Sequence, residues 1–132
     1  VDLGEYLSAA RTKPWLWREH DCCAFPAIWA DMADALPSYS CEAEAEAMLH
    51  AAGGLVPLWD AAAANRAEEV TLSAIEPGDI GVVELLGNDA TIVECGAIWT
   101  GKRWAFVPAA GGVAAVSAPT VLKVWRPLCR KH

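Results

Sequence analysis

The sequence predicts an α+β domain, with N-terminal helices packed on a mostly antiparallel sheet of about four to six strands. Two observations predict it. Apolar residues recur at three-to-four spacing through the first half of the chain, which is the helical period. Short apolar runs bounded by Gly, Pro and Asp fill the second half, which is the strand pattern. Neither an internal repeat nor a linker-like stretch interrupts the 132 residues, so one domain spans 1–132.

Residues 2–12 read as a helix carrying Leu3, Tyr6, Leu7 and Ala10 on one face, ended by Pro14. Residues 22–36 repeat the pattern through Phe25, Ile28, Trp29, Met32, Ala33 and Leu36, with Asp21 as N-cap and Pro37 as stop. Pro26 is tolerated only in a first turn, so either possible start leaves Cys22 and Cys23 at the N-terminal end. The third helix is 41–52, with Glu42, Glu44 and Glu46 suiting its dipole and Gly53-Gly54 ending it. A fourth helix or helical turn covers 55–65. Strands follow at 69–72, 80–86, 90–99, 103–108 and 121–125. Pro77-Gly78-Asp79 and Gly87-Asn88-Asp89 supply turns, and 109–119 reads as loop or weak strand.

Composition excludes several function classes. Hydrophobic residues make up 55% and charged residues 20%, which is globular rather than disordered. A net charge of −7 argues against a nucleic-acid surface. The basic clusters are Lys102-Arg103 and the segment 126–132, which reads as a solvated terminus. No stretch approaches the ~20 apolar residues of a membrane helix. Asp2 and Glu5 stand where a signal peptide would be basic, so folding in a cytoplasm is expected. The seven Trp suit a core, a protein interface or a sugar-stacking platform.

Five cysteines are an odd number, which argues against a fully paired disulfide framework. No C-x-x-C occurs, and no cofactor or metal is expected. The run His20-Asp21-Cys22-Cys23 is the chemical signal. A cysteine at a helix N-terminus has a favoured thiolate, and backbone N–H groups there help to hold an oxyanion. The alternative reading is that Cys22 and Cys23 are small residues packing beneath the sheet.

Three local signals occur in order: Asp21-Cys22 opening a helix, Pro77-Gly78-Asp79 before an apolar strand, and Gly96-Ala97-Ile98-Trp99-Thr100-Gly101 in a strand and turn. This order resembles the NlpC-type papain-like cysteine peptidases, which are cell-wall hydrolases. In that family Asp-Cys opens a helix, Pro-Gly-Asp leads into the first long strand, and His-x-Gly-Ile-Tyr-x-Gly carries the base. More narrowly, the chain is similar to small phage-tail proteins with a His-Asp-Cys-Cys start, a Gly-Gly-Leu after the third helix and a Trp near the end. Here these are His20 to Cys23, Gly53-Gly54-Leu55 and Trp125. The resemblance covers about residues 15 to 126.

The resemblance puts Cys22 at the nucleophile position. It puts Cys95 where the base histidine belongs, and Val107 and Pro108 where a polar residue would orient that base. A thiol is a poor general base near neutral pH. His20 is the substitute base to consider: on extended backbone its side chain and that of Cys22 point the same way, with Glu19 or Asp21 to orient it. His50 reads as a surface residue near a helix C-terminus, and His132 as a terminal one. Cys95 and Cys22 are expected side by side, where they form a disulfide, bind a metal or do nothing. Asp79 reads as turn chemistry.

The resemblance implies a structural or accessory protein of a phage tail, made in the bacterial host cytoplasm. It would sit in the virion tail tip beside hub or fibre proteins, on a peptidase fold that has lost most of its hydrolase apparatus. One rival is an active peptidase or amidase acting on bacterial peptidoglycan through Cys22 with a non-standard base. Another is a metal- or redox-responsive thiol module built from Cys22, Cys23 and Cys95.

Overall fold

A computed structural model describes residues 1–87 and 89–128. Asp2 starts the first helix by accepting the Glu5 amide at 2.8 Å, and α1 runs Leu3–Ala10. The second helix, α2, covers only Ala24–Trp29, much less than the expected 22–36. Asp31 adopts a left-handed φ of 62°, and a 3-10 turn at Ala33–Ala35 follows. Met32 and Leu36 remain buried, so the apolar period reported burial and not backbone. α3 is Glu42–Ala52, closed by Gly53 at φ 89°, and the Gly54 amide returns to the Leu49 carbonyl at 2.9 Å. These are the glycine stops expected there. α4 is Leu55–Ala63 and buries Leu55, Leu58, Trp59 and Ala62. Among the described residues no helix is long and apolar enough to cross a membrane.

The second half forms one sheet. Its strands are β1 (Ala67–Val70), β2 (Ile80–Leu86), β3 (Ile92–Trp99), β4 (Trp104–Phe106), β5 (Ala114–Val116) and β6 (Thr120–Pro127). Their spatial order is β1-β6-β2-β3-β4-β5, and every pairing is antiparallel. The α+β class is therefore as predicted. The weak strand within 109–119 is the edge strand β5. Of the 87–89 turn, Asn88 lies outside the described residues, as do the last four of the 126–132 segment. Arg126 is not part of a solvated terminus. It lies in β6, and its guanidinium grips the fully buried Asp79 through Nε at 3.0 Å and an Nη at 2.8 Å. Asp79 also accepts the Glu76 amide at 2.8 Å, which is the turn chemistry expected of it.

Alternation along the strands gives the sheet two apolar faces. Ile80, Val82 and Ile98 join Phe25, Met32 and Trp59 in the helix-side core. Val83, Cys95, Ala97, Trp104 and Val124 form a cluster on the other face. Trp29, Trp59, Trp104 and Trp125 are buried, which makes them core residues and not a sugar platform. The Trp59 and Trp125 rings meet edge-on at 5.6 Å. The Trp29 Nε1 donates to the Gly78 carbonyl at 2.8 Å, tying α2 to the turn that feeds β2.

Candidate functional site

The site is built around the Asp21 carboxylate, which is buried. Its Oδ1 accepts the Cys23 amide at 3.0 Å and the Ala24 amide at 2.7 Å. Its Oδ2 accepts the Arg18 amide at 2.7 Å, and the Tyr39 hydroxyl donates to both oxygens. The Phe25 amide donates to the Asp21 carbonyl at 3.0 Å. Asp21 therefore caps the helical turn that leads into α2. Arg18 holds the other side of the same loop by donating to the carbonyls of Ala33, Leu36 and Pro37.

This cap presses Cys22 onto β3. Gly96 permits the approach: a Cβ there would lie 2.4 Å from the Cys22 carbonyl oxygen and 2.6 Å from the Trp59 ring. One residue along, Cys95 is buried, and the half-buried Cys22 packs on its cluster. The Cys95 thiol donates to the Gly96 carbonyl at 3.3 Å, and it stands close enough to Cys22 for the two thiols to shift each other's ionisation. The neighbouring Cys95 thiol draws the Cys22 pKa below the ordinary thiol value, against burial and the nearby Asp21 charge, which raise it. The neighbouring Cys22 thiol, then burial, pushes Cys95 well above its ordinary value. The pair thus ionises at Cys22 while Cys95 keeps its proton.

The structure brings Cys22 and Cys95 together and turns His20 elsewhere. His20 is buried, and its Nε2 lies 2.9 Å from the Gly112 carbonyl oxygen, so that nitrogen carries the hydrogen. Its ring meets Phe25 edge-on at 5.8 Å. It fastens the segment before β5 to the loop before α2. His50 is exposed on α3, and His132 lies outside the described residues. Val107 is buried in the helix-side core, and its side chain carries no hydrogen-bonding group.

Cys23 belongs to the helix-side core and also lines the pocket beside Cys22. The Trp59 Nε1 donates to its sulfur at 3.4 Å, and burial pushes its pKa up to about 12. Among the described residues, no three His, Cys, Asp or Glu side chains group to hold a metal ion. Beside Cys22 lies a pocket of about 60 Å³, walled by Trp15, Trp17, Tyr39, Met48 and Leu49. That is room for on the order of two waters, and too little for a sugar ring. The Trp15 and Trp17 rings meet edge-on at 5.2 Å and wall this pocket.

Sequence reasoning missed Tyr39, Arg18 and Glu94. Tyr39 follows Pro37-Ser38 in a stretch without periodicity, so no local signal marked it. Glu94 accepts the Leu55 amide at 3.3 Å, supplying the start of α4 with an acceptor that Gly54 lacks. Its nearest sequence signal was the Gly-Gly pair, which announces a helix end and leaves the next helix uncapped.

A family model described as a domain of unknown function, DUF6950, matches residues 1–127. No curated protein and no solved structure matches the chain.

Proposed function

The chain belongs to the DUF6950 family, and we propose for it the role of a phage-tail structural or accessory protein on a degenerate NlpC-type papain-like fold, without hydrolase activity. The observation that carries the inactive reading is the Cys95 thiol against Cys22. A cysteine peptidase needs a group that takes the thiol proton and returns it to the departing amine. Cys95 already holds its proton, and its raised pKa makes it a poor base and a poor acid near neutral pH. His20, the other candidate, is engaged with Gly112.

The papain-like reading is supported by the capped Asp21-Cys22 turn, the Pro77-Gly78-Asp79 turn into β2 and the helices-then-sheet order. The tail assignment rests on the resemblance of His20 to Cys23, Gly53-Gly54-Leu55 and Trp125. Its partners are neighbouring tail-tip or hub proteins, with peptidoglycan as the surface they meet. Leu86, Ile92 and Val93 are exposed at the end of the β2–β3 hairpin, a placement that suits a protein neighbour.

Peptidoglycan zymography tests the inactive reading. Wild type and Cys22→Ser should both leave the gel uncleared. Clearing by wild type that Cys22→Ser abolishes would overturn it. Probing purified phage particles with an antibody against the chain tests the tail assignment: the chain should travel with the tails, and particles free of it would contradict that assignment.

A further inference from the structure

We propose that Cys22 and Cys95 are an oxidisable dithiol, which a small hydroperoxide converts into a disulfide joining the turn before α2 to β3. The inference does not rest on the tail assignment. Three features carry it. Gly96 lets the Cys22 backbone approach β3 closer than any side chain would allow, and this sets Cys22 on the cluster that contains Cys95. The two thiols differ in access: Cys22 is half-buried and lines the pocket, whereas Cys95 is buried. The neighbouring thiol that would compete, Cys23, is engaged with Trp59 on the helix-side core.

These features assign the roles. The Cys22 thiolate attacks one peroxide oxygen, the O–O bond breaks, and the departing hydroxide takes a proton to become water. Cys22 is then a sulfenic acid. The Cys95 sulfur attacks the Cys22 sulfur, the S–O bond breaks, and the Cys95 proton leaves with the hydroxyl as a second water. Two thiols are oxidised by two electrons, and one peroxide is reduced to two waters. The neighbouring Cys95 thiol, packed in the cluster that Cys22 rests on, favours the attacking thiolate. The pocket beside Cys22, about 60 Å³, admits hydrogen peroxide and excludes bulky disulfides. A thiol partner, which cannot serve as a peptidase base, is the group a resolving step requires.

The test uses the full chain carrying Cys41→Ser and Cys129→Ser, treated with an equimolar amount of hydrogen peroxide and digested without reduction. A peptide linking Cys22 to Cys95 is expected, with Cys23 still available to alkylation after unfolding and the link lost in dithiothreitol. In Cys95→Ala and Cys95→Ser, dimedone should trap Cys22 sulfenic acid at least about tenfold more than in the parent. Near-ultraviolet circular dichroism identifies which of the two variants keeps its fold, and that one is scored. A Cys22–Cys23 link would overturn the proposal. So would Cys22 sulfinic acid in the parent with Cys95 still a free thiol. Gel clearing in zymography would bear on the inactive reading alone and leave this peptide map unchanged.

Discussion

Replacing Asp21 with alanine is expected to lower the melting temperature by about 10 °C. The carboxylate accepts the amides of Arg18, Cys23 and Ala24 and the hydroxyl of Tyr39, in a site where Asp21 and Tyr39 are both buried. Alanine strands those donors together and removes a helix cap. Loss of a cap alone costs roughly 1 kcal/mol, and each unsatisfied buried donor costs about 1–3 kcal/mol where water cannot reach it. With partial relaxation the sum is about 3 kcal/mol, and a domain of this size loses roughly 3–4 °C per kcal/mol. Asp21→Asn keeps an oxygen toward the Cys23 and Ala24 amides and should lose less than half as much. Thermal unfolding followed by circular dichroism measures both. A shift of under about 2 °C for Asp21→Ala would mean that the loop is held by something else.

Replacing Gly96 with alanine should cost about as much, for the opposite reason. The new methyl carbon meets the Cys22 carbonyl oxygen at 2.4 Å and the Trp59 ring at 2.6 Å. One neighbour is backbone and the other is a fully buried ring, so neither yields freely. Overpacking of this kind costs about 1–3 kcal/mol, and the upper end applies here. The turn before α2 must move off β3, which separates Cys22 from Cys95. Gly96→Ala is thus expected to lower both the melting temperature and the rate at which Cys22 is alkylated near neutral pH. Gly4→Ala is the control. Its Cβ meets nothing closer than 3.4 Å, and alanine is the better helix former. If the two variants melt together, the close approach at Gly96 is not a constraint.

Much of this architecture was legible because local signals carried it. Asp2, Asp21 and the Gly53-Gly54 pair act as the caps and stops that their residue types announce. β2 spans Ile80–Leu86, as its apolar run and flanking turns indicate. The extent of α2 was not legible. Met32 and Leu36 are buried from a loop and a 3-10 turn, and burial leaves the same apolar trace whatever the backbone does. The short edge strand β5, Ala114–Val116, carries too little β-branched character for the sequence to separate weak strand from loop.

The site divided in the same way. The juxtaposition of Cys22 and Cys95 followed from aligning two motifs, and the structure places them side by side. The partners of Asp21 and Asp79 did not follow. Tyr39 reaches Asp21 across 18 residues and Arg126 reaches Asp79 across 47, so only the fold brings each pair together. His20 looked available to Cys22 because the two lie close in sequence. A contact with Gly112, 92 residues away, takes its ring instead.

The central claim is that the group acting on the Cys22 sulfur is the Cys95 thiol and not an imidazole. The pH profile of Cys22 alkylation by iodoacetamide tests it most directly, in wild type, Cys95→Ala and His20→Gln. A neighbouring thiol that stabilises the thiolate lowers its pKa, so wild-type Cys22 should become reactive at lower pH than an ordinary thiol. Removing the Cys95 thiol should move the profile to higher pH, and His20→Gln should leave it in place. A profile that shifts with His20→Gln and ignores Cys95→Ala would contradict the account.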